Sequence, residues 1–174
     1  KLVEDLSKGM QQKVQFIATV VHEPKLLILD EPFSGLDPIN TNLIKNEIQE
    51  LKEKGTTIIF STHRMEQVEE ICEEIVLINK GQRVLQGDVA ELKHQFKKNQ
   101  FHIEVEGEIP AALAEKYNVL EHKGNSLLVQ MEEGQDSNEL LRSFIQSNAH
   151  VTGFNEILPS LNEIFITQVE QQQA

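Results

Sequence analysis

The chain of 174 residues is 39% hydrophobic and 25% charged, as soluble globular proteins are, and is long enough for one ordinary domain or two small ones. Its net charge of −12 argues against nucleic acid as a partner, because binding phosphates requires a basic face. No apolar run reaches the roughly 20 residues of a membrane-spanning helix, and the first residues lack signal-peptide character, so we expect a cytosolic protein or one peripheral to a membrane.

Apolar periodicity predicts a βαβ unit in the first third of the chain. One helical pattern covers Gln11–His22 and another covers Asn40–Lys54. The continuous apolar runs at Leu26–Asp30 and Thr57–Ser61 lack polar alternation, so we expect them to be strands of a parallel sheet, buried on both faces. Strand, helix and strand in this order make a βαβ unit.

Further elements are predicted before the composition changes near residue 97. Glu66–Cys72 has a helical pattern, in which Cys72, the single cysteine of the chain, has the spacing of a core residue. Ile75–Ile78 and Arg83–Gln86 flank a turn sequence and predict a hairpin, after which Asp88 resembles the cap of a short helix. A single cysteine also excludes an intrachain disulfide and a metal site built on several thiolates.

A polar linker at Lys97–Gln100 separates a second predicted unit from the first. Its strands and helices follow the order β-α-β-β-α-β with one more helix at the end, which is the ferredoxin-like pattern. The predicted helices are Pro110–Tyr117, Asn138–Ala149 and Leu161–Val169. We therefore predict two domains, residues 1–97 and residues 101–170. The expected core of the second domain consists of Ile103, Val105, Leu128, Leu140, Phe144 and Phe165.

Residue types suited to phosphate chemistry occur at two places in the first unit. Ser7 and Gly9 stand at the start of the first helix, where N–H groups and the helix dipole attract an anion, although for this segment taken alone an ordinary N-cap is the default interpretation of Ser7. Asp30 and Glu31 stand at the carboxyl end of a buried strand, where open α/β sheets bind ligands. One carboxylate can hold Mg²⁺ through water while its neighbour polarises an attacking water; a pair of solvated acids in a turn is the competing interpretation.

Two more segments follow at close range. Ser34–Asp37 predicts a turn that leads into a helix, with Asp37 as a possible cap. Ser61–His63 ends the next strand of the same sheet, so we expect His63 to lie at the same edge as Glu31. A histidine at a strand end beside a pair of acids favours a functional role over a surface one.

The stretch from Leu6 to His63 resembles the ABC ATPase family, because four motifs of that family appear in order and at family-like spacing. Leu6–Met10 resembles the signature motif, Leu26–Glu31 the Walker B strand, and His63 the switch histidine. The segment similar to the D-loop consists of Ser34, Gly35, Leu36 and Asp37. The fold that this resemblance implies is α/β: a partial P-loop NTPase (ABC ATPase) parallel-sheet domain that lacks Walker A, followed by a small α+β ferredoxin-like domain.

The resemblance also implies a role for each matching residue. In the family two ATP-binding subunits meet head to tail, and each ATP lies between the Walker A loop of one subunit and the signature helix of the other. Glu31 would then act as general base, His63 would sense the γ-phosphate, Asp30 would position Mg²⁺ through water, and Asp37 would couple the two sites. The signature residues facing ATP held by the second subunit would be Ser7, Lys8, Gly9 and Met10.

By the same resemblance the chain is expected to be part of a transporter motor. It would use ATP and Mg²⁺, pair with integral-membrane permease subunits and a second ATP-binding subunit, and lie on the cytoplasmic face of the cell membrane. Lys8 and Met10 depart from the commonest signature and are similar to exporter-type and sodium-efflux-type subunits. No glycine is followed by lysine, so the G-x-x-x-x-G-K-[ST] loop is absent. We therefore interpret the 174 residues as a C-terminal fragment that neither hydrolyses ATP nor binds it tightly.

Two other functions stay open at this stage. The ATPase fold could serve a non-transport role, as in DNA-repair or translation-associated ABC proteins, although the chain shows no coiled-coil insertion or basic linker. The second unit could instead bind a small ligand or a partner and act as a regulator. His102, His122 and His150 lie in separate predicted elements of that unit, so solvated or capping roles are expected for them.

Overall fold

The computed structural model describes residues 2–109, 111–132 and 134–171. Contacts between residues divide the chain into two units, Lys1–Cys72 and Glu73–Ala174, and each unit is described separately. Among the described helices, none is long and apolar enough to cross a bilayer.

The first unit alternates helices with short strands. After a 3-10 turn at Val3–Asp5, its elements are α1 (Lys8–Val20), β1 (Leu26–Asp30), α2 (Pro38–Glu53), β2 (Thr57–Ser61) and α3 (Met65–Ile71). The strands β1 and β2 pair in parallel, with Leu26 opposite Thr57 and Asp30 opposite Ser61. The predicted βαβ unit is therefore confirmed, and both strands end at the same edge of the sheet.

Side-chain caps set the starts of the two longer helices in this unit. The hydroxyl oxygen of Ser7 accepts a hydrogen bond from the N–H of Met10 at 3.4 Å, and the carboxylate of Asp37 accepts one from the N–H of Asn40 at 2.9 Å. Each cap satisfies an N–H that has no partner inside its helix. Both helices begin earlier than apolar periodicity indicates, because a polar first turn gives no apolar signal.

The core of the first unit lies on one face of the β1–β2 sheet. Leu29 and Phe60 face the helices there, against a cluster of buried residues: Phe16, Phe33, Ile44 and Ile48. On the other face, Leu26, Ile28 and Ile59 are 52%, 69% and 55% exposed. The prediction that both strands are buried on both faces is wrong. A continuous apolar run makes a strand suited to burial between two layers, and the described residues supply one of those layers.

The described residues of the second unit form two antiparallel sheets. A hairpin of β3 (Glu74–Asn79) and β4 (Gln82–Asp88) leads into α4 (Val89–Gln95), whose N-cap is Asp88 as predicted. The later elements are β5 (Gln100–Glu106), α5 (Ala111–Lys116), β6 (Asn118–Lys123), β7 (Ser126–Gln130), α6 (Ser137–Gln146), β8 (His150–Ile157) and α7 (Leu161–Gln171).

Four of these strands form one sheet in the order β6-β7-β5-β8, with all three neighbouring pairs antiparallel. The predicted order β-α-β-β-α-β with a final helix is confirmed. The predicted first residue of α5, Pro110, lies outside the described residues.

One face of the four-stranded sheet carries a continuous apolar core. The helices α5 and α6 contribute Leu113, Leu140 and Phe144 to this core, which they cover from one side. Ile103 and Val105 of β5 lie beneath them and are 0% exposed. Four of the six core residues predicted for this unit are therefore buried.

The prediction that Leu128 and Phe165 belong to the core is wrong. Leu128 is half-buried on the opposite face of β7, because its neighbour Leu127 points into the core and successive side chains of a strand alternate. Phe165 is also half-buried, whereas Leu161 and Ile164 are the buried residues of α7. In both places several apolar residues stand close together, so the sequence left the register undetermined.

The final helix α7 packs against α4 and β4. The last helix of the second unit therefore contacts elements near the beginning of that unit. The boundary between the two units lies before the hairpin, between Cys72 and Glu73. The domain boundary at residues 97–101 stays a prediction.

Candidate active site

Glu31 and His63 meet where β1 and β2 end. Nδ1 of His63 lies 2.5 Å from Oε1 of Glu31, and the backbone N–H of His63 donates to the same oxygen at 3.0 Å. Glu31 follows β1 directly and His63 follows β2 after one intervening residue, and the carboxyl ends of these paired parallel strands lie side by side. The predicted proximity of Glu31 and His63 at one edge of the sheet is confirmed.

The backbone of Glu31 adopts a left-handed conformation with φ 45°. Residues other than glycine adopt this conformation uncommonly, and where it occurs the surrounding structure has to hold it in place. Here the N–H of Glu31 donates to the carbonyl of Ser61 at 2.9 Å, and its carbonyl accepts from the N–H of Ser34 at 3.0 Å. These two bonds fix the turn after β1 and direct the Glu31 carboxylate toward the residues after β2.

Donors from the end of β2 keep the Glu31 carboxylate ionised. A hydrogen bond from the His63 side chain is the largest cause of the lowered pKa of Glu31, and the His63 N–H and the Thr62 hydroxyl add to it. Thr62 Oγ1 lies 3.2 Å from Oε2. A carboxylate offers about four lone-pair positions. Oε1 accepts two bonds and Oε2 one, so Oε2 keeps a position at which it can accept a bond from water.

Asp30 is bonded to the neighbouring strand end. Its Oδ1 accepts a hydrogen bond from the hydroxyl of Ser61, the residue opposite it in the sheet. The described residues contain no group of three or more His, Cys, Asp or Glu side chains that could hold a metal by themselves. Mg²⁺, however, usually binds one or two carboxylates together with substrate phosphates and several waters. The exposed Asp30 carboxylate therefore fits Mg²⁺ that arrives with a nucleotide.

The start of α1 presents Ser7, Lys8, Gly9 and Met10. Ser7 accepts the capping bond through its oxygen, which leaves its proton available to a ligand. Met10 is 50% exposed. The side chain of Lys8 lies over the turn at Gly35, where a Cβ would stand 3.5 Å from Lys8 Cε; the φ of Gly35 is 73°, which favours glycine. The helix start and the loop after β1 are thus in contact.

The loop from Glu31 to Asp37 is fixed at both ends. Near its start, Nε2 of Gln12 on α1 donates to the carbonyl of Pro32 at 2.9 Å. At its end Asp37 caps α2, and the hydrogen bond from the backbone N–H of Asn40 is the largest cause of the lowered pKa of Asp37. The start of α1, the loop after β1 and the ends of β1 and β2 are therefore linked to one another within the first unit.

Three polar residues of this region were not predicted from the sequence: Gln12, Thr62 and Gln67. The Thr62 hydroxyl lies within hydrogen-bonding distance of both Glu31 and Gln67. The positions of Gln12 and Thr62, next to or inside recognised motifs, were a usable signal. Gln67 gave none, because a polar residue in the first turn of a helix is common.

Three histidines of the second unit, His102, His122 and His150, each lie near a group of their own or a paired strand. His102 lies 3.8 Å from Glu104, and His150 lies 3.9 Å from Glu106. His122 contacts the carbonyl of its own hairpin turn at 3.2 Å. The three histidines are thus not brought to one place.

Two family models match the chain. Residues 87–169 match the model described as ATP-binding protein DrrA1-3-like, C-terminal domain. Residues 3–68 match an AAA domain described as putative AbiEii toxin, Type IV TA system.

Curated proteins are similar to nearly the whole chain. An uncharacterized ABC transporter ATP-binding protein of Alkalihalophilus pseudofirmus is 42% identical over 172 residues, which cover 97% of this chain and 63% of the relative. The uncharacterized ABC transporter ATP-binding protein YhaQ of Bacillus subtilis is 42% identical over 170 residues, with 97% and 57% covered. The bacitracin transport ATP-binding protein BcrA of Enterococcus faecalis is 32% identical over 169 residues, with 95% and 54% covered. The chain therefore spans less than two thirds of the length of each relative.

A solved structure of the ATP binding subunit of an ABC transporter is also similar. It has a TM-score of 0.52 and 35% sequence identity, and the match covers 55% of this chain and 40% of that one.

Proposed function

Because this chain belongs to the family of ABC transporter ATP-binding proteins, we propose that it forms part of a subunit that couples ATP hydrolysis to transport across a membrane. The observation that carries the proposal is the Glu31 carboxylate at the end of β1, bonded across the sheet to His63 at the end of β2. Two parallel strand ends thus supply a base and a histidine at the edge where open α/β sheets bind ligands.

In the proposed reaction Glu31 takes a proton from the attacking water through Oε2, the oxygen with an unused lone pair. The water oxygen forms the new bond to the γ-phosphorus, and the bond from that phosphorus to the oxygen of ADP breaks. His63 engages the γ-phosphate in this proposal. Its Nδ1 faces Glu31, so the imidazole has to turn or present Nε2 to reach a phosphate.

Two nucleotides would contact this unit, one with its Mg²⁺ at Asp30 and the other, held by a second subunit, at the start of α1. Asp30 would hold the ion through water, and the ion would place positive charge beside the phosphate oxygens. Ser7 and Gly9 would meet the γ-phosphate of ATP held by a second subunit, with the helix dipole and N–H groups as attraction. Lys8 and Met10 belong to the same surface, and Asp37 would link the two sites of a head-to-tail dimer.

We further propose integral-membrane permease subunits as partners and a peripheral position on the inner face of the cell membrane. The signature variant formed by Lys8 and Met10 supports an exporter-type assignment. The residues of the site do not specify the substrate, because they contact nucleotide and not cargo.

The phosphate-binding loop of the proposed subunit lies outside these 174 residues. Most of the affinity for a triphosphate comes from that loop and its lysine. Asp30 and Glu31 carry the same sign of charge as the nucleotide and repel it without a metal between them. We therefore propose that the 174 residues alone neither hydrolyse ATP nor bind it tightly.

For the second unit we propose a ferredoxin-like arrangement of residues 101–170, following a domain that ends near residue 97. Its support is the β-α-β-β-α-β order together with the strand order β6-β7-β5-β8, in which the first and third strands of the repeat are the central pair.

The experiment that tests the proposed function is Glu31→Gln in the full-length subunit. The amide keeps the shape of the carboxylate and cannot accept the proton, so we expect turnover to fall by about 10²- to 10⁴-fold while ATP binding persists. Glu47→Gln on the exposed surface of α2 is the matched control and should leave turnover unchanged. A Glu31→Gln variant that hydrolyses ATP within a few-fold of wild type would remove Glu31 from the role of base.

A further inference from the structure

The hydroxyl of Thr62 stands between Glu31 and the first turn of α3. Its Oγ1 lies 3.2 Å from Oε2 of Glu31 and 3.3 Å from the side-chain amide oxygen of Gln67. It also accepts a hydrogen bond from the N–H of Arg64 at 3.2 Å. Val68, 8% exposed, is the next residue of α3 and anchors this turn in the packed part of the unit. The hydroxyl is therefore surrounded by three polar partners in a fixed setting.

The number of available protons decides which group donates in each of these hydrogen bonds. A threonine hydroxyl has a single proton, so Thr62 cannot donate to Glu31 and Gln67 together. Donation to the carboxylate is favoured, because a charged acceptor forms the stronger bond. A half-turn of the Gln67 amide exchanges its oxygen and nitrogen in place. The Gln67 N–H then donates to Thr62, Thr62 donates to Glu31, and no two lone pairs face each other.

We propose that Thr62 and Gln67 are positioning residues for Glu31, forming a chain of donors that runs from Gln67 through Thr62 to Oε2. Thr62 occupies one lone pair of Oε2 and thereby sets the rotation of the carboxylate, so that the remaining lone pair faces the hydrolytic water. Gln67 holds the Thr62 hydroxyl in the rotamer that points its proton at Glu31. The inference rests on the proposed role of Glu31 as general base.

The contact from Thr62 matters most in the reacting complex. In the structure Oε1 is held by both the N–H and the Nδ1 of His63. When the imidazole engages a phosphate, Glu31 loses that side-chain contact and keeps the backbone N–H and Thr62. The Thr62 hydroxyl is then the side-chain group that holds the carboxylate in place.

A role confined to folding makes a different prediction. Arg64, the N-cap of α3, makes no side-chain capping bond, and Thr62 Oγ1 accepts its N–H instead. If Thr62 served α3 alone, loss of its hydroxyl would lower stability and would leave kcat of the folded subunit unchanged. A positioning role lowers kcat and leaves the KM for ATP unchanged, because in the proposed reaction neither Thr62 nor Gln67 contacts the nucleotide.

The first test compares Thr62→Val with Thr62→Ser in the full-length subunit. Valine has the shape of threonine without the proton, and serine keeps the hydroxyl. A hydrogen bond to a charged group lost from the transition state corresponds to about a tenfold to 100-fold fall in kcat. We expect that fall for Thr62→Val, with KM for ATP within about twofold of wild type, and rescue to within about threefold by Thr62→Ser.

The second test uses Gln67→Met, which leaves Thr62 and its bond to Arg64 in place. We expect kcat to fall by about threefold to tenfold, since the hydroxyl is freed to rotate away. The matched control is Gln49→Met on α2, where the amide donates to Glu53 on an exposed surface, and kcat should not change. Because the two residues act in series, the Thr62→Val and Gln67→Met double variant should turn over no more slowly than Thr62→Val alone.

Unchanged kcat in both Thr62→Val and Gln67→Met would overturn the inference, and so would a double variant whose loss equals the product of the single losses. If Thr62→Val does not fold, Gln67→Met decides the question by itself. Glu31→Gln is assayed beside these variants. Loss of turnover in Glu31→Gln with normal turnover in the others rejects the positioning role and keeps the base, whereas normal turnover in Glu31→Gln rejects both.

Discussion

The sheet of the first unit and the four-stranded sheet of the second unit differ in what they leave exposed. The outward face of β5 in the second unit carries His102, Glu104 and Glu106, a polar face as expected for an antiparallel sheet with one side in water. In the first unit the corresponding open face carries Ile28 and Ile59, which are 69% and 55% exposed.

Both units bury a core, but the first unit, which we propose carries the chemistry, covers only one face of its sheet with its described residues. The second unit alternates polar and apolar residues so that its described residues alone enclose a core. The first unit has the composition of a sheet meant to be covered on both sides, and an apolar surface of this kind is typical of a face that packs against another part of a working protein. Glu31 and His63 stand at the edge of that sheet, where no further packing is needed to bring them together.

The largest expected effect comes from opening the core of the second unit. Phe144 is 0% exposed, so Phe144→Ala should lower the free energy of unfolding of that unit by about 3–5 kcal/mol. Ile145→Ala, the next residue on the same helix and 58% exposed, should change it by about 0.5 kcal/mol or less.

Fluorescence of Tyr117 in urea measures this transition selectively. The chain has no tryptophan and one tyrosine, and the tyrosine packs against the core of the second unit. Equal effects of the two variants would show that the stability of the second unit does not depend on the core that contains Phe144.

A smaller effect is expected from the open face of the first unit. If the chain self-associates through this apolar face, Ile28→Thr together with Ile59→Thr should lower the association constant of the 174-residue chain by about 30-fold. This factor corresponds to a loss of roughly 2 kcal/mol of free energy from burying apolar surface. Threonine keeps the β-branched shape, so β1 and β2 should still form. Sedimentation velocity over a concentration series measures the association constant.

The matched control for that variant lies in the second unit. Leu120→Thr together with Ile145→Thr removes two apolar side chains with similar exposure, 50% and 58%, that stand on different elements. This pair should leave association unchanged. A wild-type chain that stays monomeric throughout, or equal effects of the two pairs, would contradict a special role for the β1–β2 face.

The sequence was sufficient to predict the order of the elements but not which residues pack around them. Period and capping residues predicted every strand and helix of the second unit in order, with ends within a few residues, because these signals are local. What covers a strand is decided by residues distant in the chain. For this reason the burial of Ile28 was predicted wrongly, and the choice between Leu127 and Leu128 could not be made from an apolar run.

The site shows the same limit. Motif spacing was enough to predict that Glu31 and His63 lie at one edge, because parallel strands of equal length end together. The left-handed conformation of Glu31 and the bond between Thr62 and Gln67 depend on how a turn and a helix meet in space. Sequence patterns carry no information on such contacts when the residues are ordinary polar ones.

The smallest expected effect concerns the start of α7 in the second unit. The carboxylate of Glu163 accepts hydrogen bonds from the N–H and hydroxyl of Ser160 at 2.9 and 3.0 Å, and the Ser160 hydroxyl accepts the N–H of Glu163 at 3.2 Å, which is the reciprocal capping box. The backbone bond from Ser160 is the largest cause of the lowered pKa of Glu163, and Lys98 adds to it.

A pKa lowered in the folded state fixes the sign of the pH dependence. The folded protein binds the Glu163 proton less readily than the unfolded chain does, so this interaction stabilises the second unit above the unfolded value of 4.5 and is lost as the pH falls through the lower, folded value. The contribution is small because the side chain is 53% exposed and solvent screens it. Glu163→Gln should therefore flatten the decline of stability in this acid range while changing stability little at neutral pH. Ser160→Ala should flatten the same decline, since it removes one of the donors that lower the pKa. Tyr117 fluorescence in urea between about pH 3 and pH 7 measures this stability. Stability curves of wild type and Glu163→Gln that run parallel through this range would show that the capping box does not lower the pKa of Glu163.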